Sequence, residues 1–503
     1  MPLRIFSEKQ MPLAPHQKSW PDIDVSPMVP KEFAQFRPLI ADALVFFLQH
    51  LSEPRLTELV ARQCDLPADA SAEQRLANLI TQCPTLHKLG QVVARDRRLS
   101  PELRRRLQTL ETMEPTTPVT VVKEIIEREL GKECTCALRI DSQALAEASV
   151  AVVIPFSSDE SPDNGPGNGV LKVLKPNIIE RLGGELEIWS DLAAFVDERC
   201  ACDGLPLLRC TEIFQTVREL LANEVRLDLE QLHLKEAAQF YAGSQKIQIP
   251  VLLPYSTPRI TAMERVFGTR VTDTEHLADG ALKKLAGLVL KELVAKPIWN
   301  TEPQAIFHAD PHAGTLFYTD DGRLAILDWS LAGYLDKTER EQTAQIVLGA
   351  LNLDASRIMR AIAAMAIELP DDSALRQVVA KAVAALYRTE APGLQWLLDL
   401  LGNAMFKAGV LFGHDLILFR KSILTLEGVA ADVSEDLSLG EVLPLSGASA
   451  LLREWARRCV ASPISRNFGT HVSNIDLLSL YFAAPSAITR FFADRLFRPS
   501  TGK

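Results

Sequence analysis

The chain has 503 residues, a length for which two to four domains are expected. Hydrophobic residues make up 47% and charged residues 23%, as in an average soluble globular protein. The net charge of −10, from 54 Lys and Arg against 64 Asp and Glu, excludes the broad basic surface of a nucleic-acid-binding protein.

We expect neither a signal peptide nor a transmembrane helix in this sequence. Its first 30 residues are polar and interrupted by proline, unlike a signal peptide. The most apolar window, LLSLYFAAPSAIT, is too short for a transmembrane helix and contains Pro485. We therefore expect a cytoplasmic protein without a transmembrane segment. The basic cluster Arg104–Arg106 leaves a peripheral membrane contact open.

The N-terminal part is predicted to be helical. Residues 1–30 are predicted to form a loose arm, and residues 31–134 a helical extension in which apolar residues recur every three or four positions. In the segment SPELRRRLQTLETM, Ser100 is expected to cap a helix that begins with Pro101.

In residues 135–266 the spacing of apolar residues changes from a helical pattern to one typical of strands. Within residues 135–266, runs rich in Val, Ile and Ala predict strands, and the segment SSDESPDNGPGNG between two of them predicts a loop. Residues 267–440 are predicted to be mostly helical and residues 441–503 to form a helical tail. A small β-rich lobe followed by a larger helical lobe predicts an α+β, protein-kinase-like two-lobed fold with an N-terminal helical extension.

The densest set of polar candidates lies in FHADPHAGTLFYTDDGRLAILDWS. Asp310 precedes a predicted hairpin with an Asp-Asp-Gly turn, and Asp328 follows it, so the two aspartates are expected near each other. Phosphoryl transfer needs such carboxylates to hold Mg²⁺ on phosphates. We expect the imidazoles of His308 and His312 to fix the loop by hydrogen bonds. Taken alone, the aspartates fit turn or capping residues equally well.

This stretch resembles the signature of the UbiB/AarF family, atypical kinase-like proteins associated with coenzyme Q and isoprenoid lipids. The family carries an H-x-D-P-H-P-G-N loop, a hairpin and a D-F-G triplet. Here the loop runs from His308 to Thr315, and the triplet is Asp328-Trp329-Ser330. The family's K-x-G-Q extension motif matches Lys88-Leu89-Gly90-Gln91. The resemblance covers roughly residues 80–430.

Other marks of the family follow in order. An alanine-rich segment, Ala146-Glu147-Ala148-Ser149, resembles the one that replaces the kinase glycine-rich loop, and Lys172 takes the place of the strand lysine. Glu230 and Glu236 match two helix glutamates six residues apart, and Met263-Glu264 resembles the approach to the adenine.

The resemblance implies ATP or ADP and Mg²⁺ as cofactors. Lys172 would bind the α and β phosphates and pair with Glu236, while Asp328 would hold Mg²⁺ and Asp310 would be the catalytic base. Thr315 occupies the position of a second metal ligand. The remaining implied ATP-binding residues are Ala146, Ala148, Ser149, Met263 and Glu264.

The resemblance also implies a role for the extension. Lys88, Gly90 and Gln91 would lie over the active site, anchored by Glu230, where a protein substrate would otherwise bind. This argues against ordinary protein kinase activity. The family's association with isoprenoid lipids implies an isoprenoid lipid or a lipid-biosynthesis protein as the partner. Without the motif, Lys172 fits a strand-edge lysine and Glu230 an exposed helix charge.

The chain departs from the family pattern at several positions. Thr315 replaces the metal-binding Asn, and Trp329-Ser330 replaces Phe-Gly, which makes a backbone flip of this triplet less favourable. Val150-Ala151-Val152 stands where Gly and Gln usually follow the alanine-rich segment, and Leu232 where the helix motif has Asp.

Three functions therefore stay open. The first is an ATP- and Mg²⁺-dependent atypical kinase or ATPase, supported by the retained lysine, glutamate and aspartates. The second is a pseudokinase that binds nucleotide with little turnover, which Thr315 favours. The third is a small-molecule kinase of the aminoglycoside or choline type, which also has an H-x-D loop and a later D-W; the K-x-G-Q segment speaks against it.

Overall fold

The structure is a computed structural model of the chain. It describes residues 24–93, 100–108, 117–158, 167–205, 218, 221–274, 277–369, 372–386, 393–434, 437 and 439–482. Most of the predicted N-terminal arm and the end of the predicted C-terminal tail lie outside these residues.

Helices dominate the described chain. The α-helices, in chain order, are α1 Arg37–His50, α2 Glu53–Cys64, α3 Ala72–Gln82, α4 Pro84–Val93, α5 Pro101–Gln108, α6 Val119–Leu130, α7 Lys132–Cys136, α8 Ile178–Cys202, α9 Leu227–Tyr241, α10 Asp279–Leu290, α11 Lys296–Ile298, α12 Lys337–Leu351, α13 Ala355–Met365, α14 Asp372–Leu386, α15 Leu394–Ala408, α16 His414–Val433 and α17 Leu439–Val460. A π-helical turn, Lys291–Ala295, joins α10 to α11.

The strands are short. They are β1 Leu138–Ile140, β2 Ala146–Glu147, β3 Ala151–Ser158, β4 Gly167–Leu174, β5 Ile247–Gln248, β6 Ile260–Glu264, β7 Gly268–Arg270, β8 Gln304–His308, β9 Leu316–Thr319, β10 Leu324–Ile326, β11 Ala332–Asp336, β12 Ala366–Glu368 and β13 Leu411–Phe412. The pair β12–β13, in the part predicted to be helical, is too short to leave an alternating pattern in the sequence.

The chain folds into two compact units. Of the described residues, the first unit contains those within 1–122, 145–152 and 174–225, and the second those within 123–144, 153–173 and 226–503.

The first unit is held together by an apolar core between α1, α2 and α8. Trp189 of α8 packs in one cluster with Phe47 and Leu48 of α1 and with Leu59 of α2, and each of these side chains is almost fully buried. Burying a side chain of this size stabilises a fold by about 1.5–3 kcal/mol. The predicted cap of α5 is confirmed, since the Leu103 N–H donates to Ser100 Oγ at 3.2 Å.

The second unit contains the sheets that carry the candidate residues. Strands β1, β3, β4 and β6 lie side by side in one sheet, and β4 pairs antiparallel with β6 so that Lys172 is opposite Thr261. A second sheet has the order β5-β10-β9-β7. Its central hairpin, β9–β10, confirms the predicted one, with Leu324 opposite Tyr318 and Gly322 at φ +83° in the turn.

A separate two-stranded sheet, β8–β11, leads into the loop with Asp310. Gly333 of β11 is opposite Phe307 of β8, and a Cβ at Gly333 would lie 2.4 Å from the Phe307 ring. Because Gly333 has no side chain, the Phe307 ring can lie against its backbone. The same ring also packs edge-on against Phe419. Because Phe307 directly precedes His308, this contact fixes the end of β8.

Among the described residues, no helix combines the length and the hydrophobicity needed to cross a bilayer.

Candidate functional site

A buried lysine contacts two carboxylates in the second unit. Lys172 Nζ lies 2.7 Å from Glu230 Oε1 and 2.8 Å from Asp328 Oδ1. Glu230 is 2% exposed, whereas the Asp328 side chain is 37% exposed. The cation is thus balanced by one buried carboxylate and by one whose surface is open to an incoming group.

The three groups shift one another's protonation. Burial raises the pKa of Glu230, and the Lys172 ammonium opposes that shift only in part. Burial would lower the pKa of Lys172 and raise that of Asp328, but the attraction between them reverses both directions. At neutral pH, Lys172 is therefore positively charged and Asp328 negatively charged.

The lysine's partner differs from the predicted one. Glu236, expected to pair with Lys172, accepts a hydrogen bond from the Tyr334 hydroxyl instead. Six residues turn a helix by about 600°, so Glu230 and Glu236 point in directions about 120° apart. The predicted pairing was wrong because the same spacing also occurs between Glu224 and Glu230.

The predicted anchor of the extension is also corrected. In the first unit, Lys88 Nζ lies 2.8 Å from Glu224 Oε1, and Ser149 Oγ donates to Glu224 Oε2 at 3.3 Å. Glu230, the expected partner of Lys88, is bound to Lys172 in the second unit. Glu224 therefore joins the extension motif to the alanine-rich segment.

With Glu224 in place of Glu230 as the partner of Lys88, each position of the helix motif shifts by six residues toward the N-terminus. The position assigned to Leu232 then falls on Arg226, whose Nη2 lies 2.7 Å from Asp228 Oδ2, while Leu232 is exposed. Gly90 is buried, and the side chain of Gln91 lies outside the described residues. The roles of Lys88, Gly90 and Gln91 over an active site stay predictions.

Asp310 has a cationic neighbour that we did not predict. Lys421 Nζ lies 3.1 Å from Asp310 Oδ1, and the adjacent Ser422 Oγ donates to the His308 carbonyl at 2.8 Å. Both residues belong to α16. A lysine in a helix more than a hundred residues after the loop leaves no motif by which sequence inspection selects it.

The histidines hold the loop, as predicted. His308 Nε2 donates to the Leu327 carbonyl at 3.0 Å, and its Nδ1 accepts from the Asp310 N–H at 3.2 Å. Burial lowers the pKa of His308, which agrees with the neutral imidazole that this pattern requires. His312 Nδ1 accepts from the Gly314 N–H at 3.0 Å. Hydrogen bonds therefore tie the Asp310 loop to the end of the hairpin.

Thr315 lies in the same network. Its hydroxyl donates to the His312 carbonyl at 2.8 Å, its own carbonyl accepts from the Leu327 N–H at 2.8 Å, and its side chain is buried. The hydroxyl proton is thus engaged within the loop, and only oxygen lone pairs are left for a cation.

The triplet after the hairpin is firmly held. Asp328 has φ +55°, a left-handed conformation that Asp tolerates better than most residues. The buried Trp329 indole donates to the Ile326 carbonyl at 3.2 Å, and His233 Nδ1 donates to the Trp329 carbonyl at 3.0 Å. These contacts support the expectation that a backbone flip of this triplet is less favourable.

The remaining predicted nucleotide residues lie in or beside strands. Met263 is buried in β6, and the Glu264 N–H donates to the Val251 carbonyl at 2.8 Å. Ala146 is exposed, and the Ala148 N–H donates to the Ala151 carbonyl at 2.8 Å. Their contacts with a nucleotide stay predictions.

The carboxylate at this site suits Mg²⁺, which also takes phosphates and water as ligands, better than a metal ion that is bound by protein side chains alone. Within the part of the chain that the structure describes, no three His, Cys, Asp or Glu side chains converge to hold a metal ion. Asp328 offers a partly exposed carboxylate, and Mg²⁺ typically takes one or two carboxylates together with substrate phosphates and water.

Known proteins match this chain across most of its length. The ABC1 atypical kinase-like domain matches residues 109–362, just over half of the chain. A probable protein kinase UbiB from Shewanella frigidimarina is 28% identical over 385 residues, which cover 74% of this chain and 67% of the relative. The corresponding protein from Haemophilus ducreyi is 26% identical over 390 residues, which cover 74% and 69%.

Among solved structures, the Rv3197–erythromycin complex from Mycobacterium tuberculosis is 13% identical, with a TM-score of 0.47, and the match covers 80% of this chain and 93% of that one. The predicted family and the predicted α+β, kinase-like two-lobed fold are confirmed. The chain belongs to the family of ABC1 atypical kinase-like proteins, of the UbiB type.

Proposed function

We propose that this protein binds ATP or ADP together with Mg²⁺ and acts as an atypical kinase or ATPase. The observation that carries this proposal is the contact of Lys172 Nζ with both Glu230 and Asp328. Phosphoryl transfer depends on a positioned cation for the phosphates and a carboxylate for the metal. One lysine held between a buried glutamate and a half-open aspartate meets both needs.

Each residue has its own part in the proposal. Glu230 orients Lys172, whose ammonium binds the α and β phosphates. Asp328 holds the metal, which when bound neutralises charge on the transferred phosphoryl group. Asp310 positions the attacking hydroxyl or water and accepts its proton. Lys421 supplies a second cation beside Asp310.

A stability measurement tests nucleotide binding. A ligand that binds only the folded state raises the melting temperature, so wild type should melt higher with ATP or ADP plus Mg²⁺ than with either alone. Asp328→Asn removes the carboxylate charge but keeps a residue that tolerates the left-handed conformation, and it should lose the Mg²⁺-dependent shift. The matched control is Asp320→Asn in the exposed hairpin turn, which should keep the shift. No shift with any nucleotide would overturn the proposal.

We propose an isoprenoid-type lipid, or a protein of lipid biosynthesis, as the partner. The support is the family resemblance, in which the extension takes the place of a protein substrate. Nucleotide turnover measured with a dispersed prenylated phenol, and with the same phenol lacking its prenyl chain, tests the lipid. Stimulation by the prenylated compound alone supports it. Equal turnover would reject the lipid and leave the nucleotide proposal standing.

A pseudokinase with little turnover is the second candidate. The observation that favours it is Thr315, whose short hydroxyl already donates to the His312 carbonyl where the family has an Asn. The two candidates differ in turnover and not in binding. A Mg²⁺-dependent thermal shift without ATP hydrolysis or phosphate transfer would support the pseudokinase.

A further inference from the structure

A cleft of about 540 Å³ opens in the first unit, beside the N-terminus of α2 and along one face of α8. This volume lies in the range of small-molecule sites, roughly 300–1,000 Å³. Its apolar wall includes Leu51 and Ile188. Its polar wall includes Arg55 and Glu185, both buried.

Glu185 has one oxygen without a hydrogen bond. Its Oε2 accepts from the Thr85 N–H at 3.0 Å and from Thr85 Oγ1 at 2.7 Å, which fixes the carboxyl group. Its Oε1 accepts no hydrogen bond from any described residue, and Arg55 Nη2 lies 3.9 Å away. A buried carboxylate oxygen left in this state costs free energy unless a donor reaches it.

Arg55 does not supply that donor. Its Nη1 donates to Glu58 Oε2 at 2.7 Å, and its Nη2 donates to the Gln82 carbonyl. Arg181, the other arginine of the cleft, also donates to Glu58, at 3.3 Å. Arg55 is therefore held by Glu58 and the Gln82 carbonyl, and Arg181 is held by Glu58.

One of two neighbouring glycines in α8, Gly184, lines the cleft. Gly183 and Gly184 stand inside α8, where each costs about 1 kcal/mol relative to alanine. A Cβ at either position would meet nothing within 4 Å, so close packing does not explain them. Gly184 lines the cleft, and a side chain there would enter it.

The charges select the kind of ligand. The cleft is lined by four carboxylates and two arginines. The carboxylates are Glu180, Glu185, Glu187 and Asp191. Since no three His, Cys, Asp or Glu of the described residues converge on a metal position, an organic cation fits better than a metal ion.

We propose that this cleft binds a small alkyl diamine or polyamine. One ammonium donates to Glu185 Oε1, the methylene chain lies along Leu51 and Ile188, and a second ammonium meets the carboxylates of Glu187 and Asp191. An ammonium offers three donors, and a charge-assisted hydrogen bond to a buried carboxylate is the strongest contact available to it. This site does not depend on the proposed nucleotide function.

Calorimetric titration of the full chain with spermidine tests the proposal, with putrescine as a shorter probe. We expect saturable binding that weakens about tenfold or more in Glu185→Gln, because the charged acceptor is lost. Gly184→Leu fills the cleft with a good helix former and should weaken binding similarly. Gly183→Leu, the same change one residue away and outside the lining, is the matched control and should bind as wild type does.

Two outcomes would overturn the proposal. One is no binding of either amine to folded wild type. The other is equal affinity in all four proteins, which would mean that the amines associate with the acidic surface in general. Because Gly184→Leu leaves the Arg55–Glu185 pair intact, it tests the site even if Glu185→Gln folds poorly.

Discussion

Lys421 Nζ lies 3.1 Å from Asp310 Oδ1, although 111 residues separate the two in the chain. The next residue of the same helix, Ser422, donates to the His308 carbonyl. One helix turn therefore holds both the backbone and the carboxylate of the loop. The Lys421 ammonium steadies the direction of the Asp310 carboxylate.

With Asp310 as the proposed base, we predict that Lys421→Met lowers nucleotide turnover by on the order of 10- to 100-fold, because the base loses its electrostatic partner. The fall should appear in kcat more than in KM for the nucleotide, because Lys421 contacts Asp310. Lys421→Arg should keep most of the activity. Lys381→Met, on the exposed face of α14, is the control, and an equal loss there would remove the assigned role.

The Lys172–Glu230 pair should show strong coupling in stability. Lys172→Met leaves a buried carboxylate without its cation and should cost about 3 kcal/mol or more. Adding Glu230→Gln removes that charge, so the double variant should cost less than the sum of the two single changes. Denaturant unfolding of the four proteins measures the coupling. Additive costs would mean that the pair contributes no net interaction.

The stability of the first unit should depend on pH through Glu185. Burial raises the pKa of this carboxyl to about 7, against 4.5 ordinarily, so the folded state holds the proton more tightly than the unfolded chain. Stability from this group is present below pH 4.5 and is lost as pH rises toward 7. Relative to wild type, Glu185→Gln should therefore gain up to about 3 kcal/mol between pH 5 and pH 8.

Unfolding of both proteins in urea at the two pH values measures this gain. A gain of zero, or a loss with rising pH, would show that Glu185 is ionised throughout.

Thr315→Asn should strengthen the metal position. The carboxamide nitrogen of Asn can donate to the His312 carbonyl, as the Thr315 hydroxyl does, which would leave its oxygen as a ligand for the proposed Mg²⁺. We expect tighter Mg²⁺ dependence of nucleotide binding, or faster ATP turnover. Thr315→Val has a similar shape without the hydroxyl and should weaken both. If Asn changes neither quantity, Asp328 and the phosphates already satisfy the metal.

Features formed by residues close together in the chain could be predicted from the sequence. The hairpin between Asp310 and Asp328 follows from an Asp-Asp-Gly turn between two apolar runs, and it forms as expected. The hydrogen bonds of His308 and His312 join residues of one loop and hairpin. A window of about 20 residues contains all the groups that decide such features.

Ion pairs between residues that are far apart in the chain could not be predicted from the sequence. Glu224, Glu230 and Glu236 have the same spacing. Glu224 precedes α9, and the choice between Glu230 and Glu236 depends on which face of α9 meets Lys172 of β4. Lys421 meets Asp310 only because α16 packs beside the loop. Neither the rotation of a helix nor its neighbour is recorded in a single sequence.

Periodicity, turn residues and motif spacing are local properties, and they were enough to predict the fold class and, through the motif resemblance, the family. The functional roles of Lys172, Asp310 and Asp328 stay predictions. The folded chain was needed to show that Lys172 pairs with Glu230, that Lys88 pairs with Glu224 and that Lys421 reaches Asp310. These pairs form between charges that packing brings within about 3 Å, and packing depends on the whole chain.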